Sequence, residues 1–220
     1  MKKLFIETRL KNIKLDFSSI DKLITDEKPK TISLSATIQY LDLIPEIKKY
    51  LESKKINVIL KQGAFYKAQV LGCQSQAFDK NADILLLITD GKFHAINNAI
   101  QLEKEIFIFT PNKNSIGKIT KKEIQQELEK IKLKKNKFLN SNTVGLLVSS
   151  KPGQHYNNIE NIKNKIQKLK KQVYVFQSNN INTDEFENFP QIKIWINTAC
   201  PGIQRDNNKI INLKDILEFI

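Results

Sequence analysis

Two hydrophobic patterns take turns along this chain: short β-branched runs, and longer stretches with an apolar residue every three or four positions. Leu4–Glu7 reads as a short strand, and the basic segment after it, up to Lys30, as irregular, closed by Glu27-Lys28-Pro29-Lys30. Thr31–Thr37 alternates as a strand does. Leu41–Lys54 carries a helical stripe (Leu41, Ile44, Ile47, Leu51), and the β-branched Ile56–Leu60 closes a βαβ unit. Ala82–Thr89 is one continuous apolar run, the pattern of a strand covered on both faces. A turn at Asp90-Gly91, a helix over Phe93–Leu102 and a strand over Ile106–Phe109 follow. Thr120–Lys137 predicts a long charged helix with Ile124, Leu128 and Ile131 on its inner side.

After Asn140-Ser141-Asn142 the pattern restarts. It gives strand Thr143–Ser149, a loop at Lys151-Pro152-Gly153-Gln154-His155, helix Ile159–Lys170 and strand Val173–Gln177. A polar loop from Ser178 to Pro190 leads into strand Ile192–Ile196, and Leu213–Ile220 reads as a short closing helix. Alternating strands and helices predict an α/β protein of two similar domains, with mainly parallel sheets flanked by helices. The expected boundaries are 1–30 for an N-terminal strand and linker, 31–140 for the first domain and 141–220 for the second. The two halves share an order of elements but no sequence repeat.

Composition narrows the function classes. The formal net charge of +13 invites an acidic partner, but only Arg9 and Arg205 are arginine, so nearly all the cations are lysine. Phosphate and base recognition favours the arginine fork, so nucleic-acid binding is not the expected role. No apolar run approaches membrane-spanning length, and the apolar part of Met1-Lys2-Lys3-Leu4-Phe5-Ile6 is too short for a secretory signal. With two cysteines and no such signal, a reducing cytoplasm is the expected compartment, where a thiol serves packing, metal binding or catalysis rather than a disulfide.

Cys73 and Cys200 lie too far apart in sequence for a local CxxC site. A lone cysteine is commonly a small core hydrophobe, but Gly72 precedes one and Pro201-Gly202 follows the other, at the ends of apolar segments where α/β folds keep ligands. Two thiolates can serve zinc, iron or an iron–sulfur cluster, and complete none of them alone. Lys151–His155 offers a turn and a helix N-terminus to an anion without a Walker pattern, and an ordinary connection explains it equally. Asp90 and Asp206 lie in loops at strand ends, able to meet a ligand amine or simply to cap. His94 follows a strand-to-helix turn, where a histidine is commonly structural.

Taken in order, Gln69-Val70-Leu71-Gly72-Cys73, Gly91-Lys92-Phe93-His94, Ser150-Lys151-Pro152-Gly153-Gln154, Phe189-Pro190 and Ala199-Cys200-Pro201 resemble the archaeal 2-(3-amino-3-carboxypropyl)histidine synthase family. These are diphthamide synthases, radical-SAM enzymes of an atypical kind. The resemblance implies three similar α/β domains, each giving one cysteine to a 4Fe–4S cluster. S-adenosylmethionine meets the open iron, and a 3-amino-3-carboxypropyl group passes to a histidine of elongation factor 2. By that likeness Cys73 and Cys200 are cluster ligands, while His94, Gly153, Gln154 and Asp206 fall at cofactor-site positions; no catalytic residue is assigned. The chain departs from the pattern in opening at what resembles the last segment of the first domain, and in carrying no third cysteine. It also reads Cys200-Pro201-Gly202 where the family has Cys-Pro-Arg, with Arg205 close enough in sequence to substitute.

A cluster with one open iron needs three thiolates, so the expectation is a split enzyme subunit whose third cysteine comes from a separate chain, in a homo- or hetero-oligomer. The rival readings are a non-catalytic scaffold subunit of a related enzyme and a zinc or redox module.

Overall fold

The computed structural model describes residues 6–205 and 207–220. It divides into two compact units, Met1–Gln125 and Gln126–Ile220. In the first, the elements in chain order are α1 (Ser18–Glu27), β1 (Thr31–Ala36), α2 (Ile44–Ser53), β2 (Asn57–Ile59), β3 (Ile84–Ile88), α3 (Lys92–Leu102), β4 (Ile106–Thr110) and β5 (Ser115–Ile119). Helix α4 (Lys121–Leu139) begins in the first unit and ends in the second. The second continues with β6 (Thr143–Ser149), α5 (Ile159–Lys168), β7 (Gln172–Ser178), β8 (Ile194–Asn197) and β9 (Ile210–Asn212).

The first sheet has the order β2-β1-β3-β4-β5, parallel throughout except for β5, which runs antiparallel to β4. The second has the order β7-β6-β8-β9 and is entirely parallel. Set side by side, the first four strands of each unit are laid down in the same order: second, first, third, fourth. The repeat that the sequence hides is therefore present in the topology. In both units the order reverses between the first and third strands, and the carboxyl ends of those two strands form the crevice where open α/β sheets bind ligands.

Period-two alternation explains the layers. Ile32, Leu34, Ile84, Leu86 and Ile88 turn one face of the first sheet onto Ile20, Leu23, Ile47 and Leu51 of α1 and α2. In the second unit Val144, Leu146, Ile194 and Ile196 face Ile162 and Ile166 of α5, while Leu147, Trp195 and Ile210 face the opposite way, onto Phe186 and Ile192. Gly145 lies directly against Trp195: a Cβ there would sit 2.3 Å from the indole ring. The indole stacks on Phe186 with centroids 4.1 Å apart, so the ring has no room to yield.

Four local expectations are corrected. The segment before Lys30 is not irregular: α1 forms because Phe17 stacks on Tyr50 (3.8 Å) and Ile20 and Leu23 are buried, while the Tyr50 hydroxyl donates to Asp21 (2.6 Å). Leu4 and Phe5 of the expected first strand lie outside the described residues, and Ile6 and Glu7 are irregular. Ser115–Ile119 adds an antiparallel edge strand that its Gly and Lys disguise, reached through Asn114 in the left-handed region (φ 39°). The closing helix over Leu213–Ile220 is replaced by two 3₁₀ turns, Leu213–Asp215 and Leu217–Phe219, after the short strand β9; eight residues are too few to sustain an unsupported helix.

Candidate functional site

In the first unit Cys73 arrives on the long connection between β2 and β3. Ala36, the last residue of β1, donates to the Ala68 carbonyl (2.9 Å) and accepts from the Val70 amide (2.9 Å), which lays residues 68–70 along the strand end. Gln69 Oε1 accepts from the amides of Phe65 (3.0 Å) and Tyr66 (3.1 Å), fixing the approach. Leu71–Gln74 then form a tight turn with the Cys73 thiol exposed at its tip.

That turn rests on the start of α3, directly after β3. Asn98 is fully buried and its Nδ2 donates both to the Leu71 carbonyl (3.1 Å) and to the His94 carbonyl (2.8 Å). Gly72 is in close contact: a Cβ there would stand 3.0 Å from Phe93 and 3.6 Å from both His94 and Asn97 Nδ2. His94 is thereby brought beside the Cys73 turn. Its half-buried ring packs edge-on against Phe93 (5.3 Å), and burial lowers the imidazole pKa from its ordinary value, favouring the neutral form. The buried Asn97 Nδ2 and Asn98 Oδ1 have no hydrogen-bond partner among the described residues.

Asp90, at the end of β3, accepts a hydrogen bond from the buried Tyr40 hydroxyl, which in turn accepts from Asn112 Nδ2 (2.9 Å). Burial, reinforced by Asp90, raises the Tyr40 pKa and keeps the phenol protonated. The carboxylate is thus held by groups from the carboxyl ends of β1 and β4, a link that separation in sequence concealed.

In the second unit Cys200 leaves β8 almost at once and is half-buried. Asn197 holds the exit: its Nδ2 donates to the Cys200 carbonyl (2.9 Å) and to Asn212 Oδ1 (2.7 Å), while its Oδ1 accepts from the Ala199 amide (3.0 Å). Asn212 Nδ2 donates onward to the Pro201 carbonyl (3.2 Å), and Gln204 Oε1 accepts from the Asn212 amide (2.5 Å). Sequence reading passed over these three amides, because an Asn or Gln in an Asn-rich chain carries no signal until its partners are known.

Cys200 lines a cleft of about 280 Å³ with Ser149, Lys151, Gln154, Asn180 and Ile203. The structure therefore brings Gln154 and Cys200 together at the crevice between β6 and β8. Gly153 occupies the left-handed region (φ 80°) of the exposed turn before Gln154, and His155 Nδ1 lies 3.1 Å from the Ser149 carbonyl. Asp206 lies outside the described residues. Arg205 lines a different cavity, with Lys130 and Lys209, and is not among the residues around Cys200.

Each thiol stands on a fixed turn at the crevice of its own sheet. The donor set is soft sulfur, suited to zinc or an iron–sulfur cluster. At Cys73 the Gly72 backbone is packed closely on Phe93, His94 and Asn97, so the turn is held from below while the cysteine at its tip is exposed, open to a bulky sulfide-bearing group. Among the described residues no three His, Cys, Asp or Glu side chains converge as a metal site. No helix among them is long and apolar enough to cross a membrane.

Comparison with known proteins adds a consistent set of likenesses. A family model described as "Putative diphthamide synthesis protein" matches residues 1–210, and the chain belongs to that family. It is 26% identical over 181 residues to the 2-(3-amino-3-carboxypropyl)histidine synthase of Methanocaldococcus jannaschii, covering 81% of this chain and 47% of that protein. It is also 26% identical over 215 residues to subunit 1 of the Schizosaccharomyces pombe synthase, covering 89% of this chain and 47% of the relative. The chain thus spans about half the length of these curated relatives. The fold is similar to that of Dph2 from Pyrococcus horikoshii (TM-score 0.81, 22% identity, 92% of this chain and 62% of that one). A crystal structure of the same Dph2 with a 4Fe-4S cluster gives a TM-score of 0.79 at 22% identity, over 90% of this chain and 60% of that one.

Proposed function

We propose that this member of the diphthamide synthesis family is one subunit of a split 3-amino-3-carboxypropyl transferase, acting in the first step of diphthamide formation on a histidine of elongation factor 2. The observation that carries the reading is the placement of Cys73 and Cys200. Each stands on a pinned turn at the crevice of its unit, one thiol exposed and the other lining a cleft. In this reading both thiolates ligate one 4Fe–4S cluster and a separate chain supplies the third. Held there, such a cluster would supply the electron for reductive cleavage of a carbon–sulfur bond of S-adenosylmethionine.

The chain's own residues would then do the holding. Asn98 and Asn197 fix the two ligand turns, Gln154, next to Gly153, borders the cofactor at Cys200, and neutral His94 packs beside the Cys73 turn. A reducing cytoplasm suits such thiols. Arg205 is not a substitute for the family's arginine in this reading, because it belongs to another cavity.

The test is anaerobic co-purification and reconstitution with iron and sulfide, followed by visible absorbance and electron paramagnetic resonance. A cluster that needs a second chain, and that Cys73→Ala or Cys200→Ala each abolishes, supports the proposal. A colourless complex indifferent to both changes would defeat it. The second reading, a non-catalytic supporting subunit, draws on the loss of the arginine at Gly202. It predicts a stable complex in which neither substitution alters the partner's cluster.

A further inference from the structure

Along α4, Lys130, Lys134 and Lys137 follow at i, i+4 and i+7, one face of the helix spanning about 10 Å. All three line a groove of about 1000 Å³ in the second unit with Arg205, Lys209 and the exposed Leu133, five cations against the two carboxylates Asp184 and Glu187. Lys134 is buried at the base, where its ammonium donates to the carbonyls of Gln204 (2.5 Å) and Asn207 (2.9 Å), so one positive charge is fixed there. The rim cations are exchangeable: Lys130, largely exposed, pairs with Glu127 (2.6 Å), and Lys209, partly exposed, meets Glu187 only at 3.9 Å, contacts worth little in water. An adjoining recess of about 250 Å³ shares Lys137 and Lys209 and is lined by Phe186, Phe189, Pro190 and Ile192.

The occupant must therefore carry negative charge along an extended path and present an apolar side chain at one end. A single phosphate is too small to meet cations spread over that length. RNA is poorly served by one guanidinium and by Phe186, whose face already lies on Trp195 at 4.1 Å. We propose that this groove docks an acidic peptide segment, its carboxylates along the lysine row and one bulky apolar residue anchored in the Phe186–Ile192 recess. The groove needs neither the cluster nor a partner chain, so this proposal stands apart from the transferase reading.

Fluorescence anisotropy on the full chain tests it, with a short fluorescein-labelled peptide of glutamates carrying one leucine near one end. Saturable binding is expected, weakening about tenfold or more in a Lys130→Glu/Lys209→Glu variant and about fivefold when the leucine becomes serine. Lys134 is left in place because it holds the Gln204–Asn207 loop, and a milder Lys130→Gln/Lys209→Gln variant covers any loss of folding. Absence of binding, or equal binding to the variants, overturns the proposal. Tighter binding of a single-stranded RNA of equal length, weakened by the same substitutions, also overturns it and reassigns the groove to nucleic acid.

Discussion

The two units reach the same arrangement by different routes. In the second, Cys200 is the direct continuation of the third strand, and three buried amides lock its exit. In the first, the corresponding strand end carries Asp90, and Cys73 comes from the preceding connection, folding over the start of α3 to rest on Phe93 and His94. A common strand order has been kept while the cysteine's place in the chain has not. What is shared is the crevice, and any loop that reaches it can deliver the thiol. The locks differ accordingly: Cys200 is half-buried inside a hydrogen-bond network, whereas Cys73 is an exposed tip held chiefly through the Asn98 bond to Leu71.

The largest expected contrast lies in the glycines. Gly145→Ala puts a methyl group 2.3 Å from an indole pinned by Phe186, and is expected to cost about 3 kcal/mol or more. Gly72→Ala meets the rim of Phe93 at 3.0 Å, but that ring is 43% exposed and can swing aside, so the cost is expected to stay below about 1 kcal/mol. Denaturant unfolding followed by the chain's one tryptophan, Trp195, reads the second unit, and circular dichroism reads both. Equal costs at the two positions would break the comparison.

The amide locks come next. Asn197→Ala leaves Asn212 and the Cys200 carbonyl without their partner and is expected to cost about 1–3 kcal/mol; Asn98→Ala is expected at the lower end of that range. Thiol-modification kinetics sharpen the difference. Cys73 is expected to react faster than Cys200 in the unaltered chain, with Asn197→Ala bringing the two rates together. A slower Cys73 would show that the exposed turn is better shielded than its geometry implies.

The smallest effect concerns protons. Burial lowers the His94 pKa from 6.5, so the unfolded chain takes up that proton first as the solution is acidified. Stability from this group is full above the unfolded value and falls as pH drops from there through the lowered folded value. Imidazole resonances should show His94 titrating below 6.5, and His94→Gln should flatten the stability profile in that window. A titration at or above the ordinary value would contradict the half-buried ring.

Much of the first-order architecture is legible in the amino-acid sequence. The apolar run at Ala82–Thr89 and the alternation in Thr31–Thr37 specify strands because their patterns suit only a doubly covered or half-covered sheet. The ordered motifs around the cysteines likewise point to the family. Pattern fails where tertiary contacts, rather than local ones, select the conformation. Helix α1 depends on Phe17 meeting Tyr50, β5 on an antiparallel partner, and β9 on Trp195 and Ile196 alongside it.

What the sequence determined by itself was the list of chemically able groups and the order of strands and helices, since both follow from residue type and spacing. Which groups meet was decided only by the fold. Parallel strands joined by long crossovers bring Gln154 to Cys200 and His94 to the Cys73 turn across gaps that no local periodicity encodes. The amides of Asn98, Asn197 and Asn212 became meaningful only there, because a hydrogen-bonding side chain acquires a role from its partner.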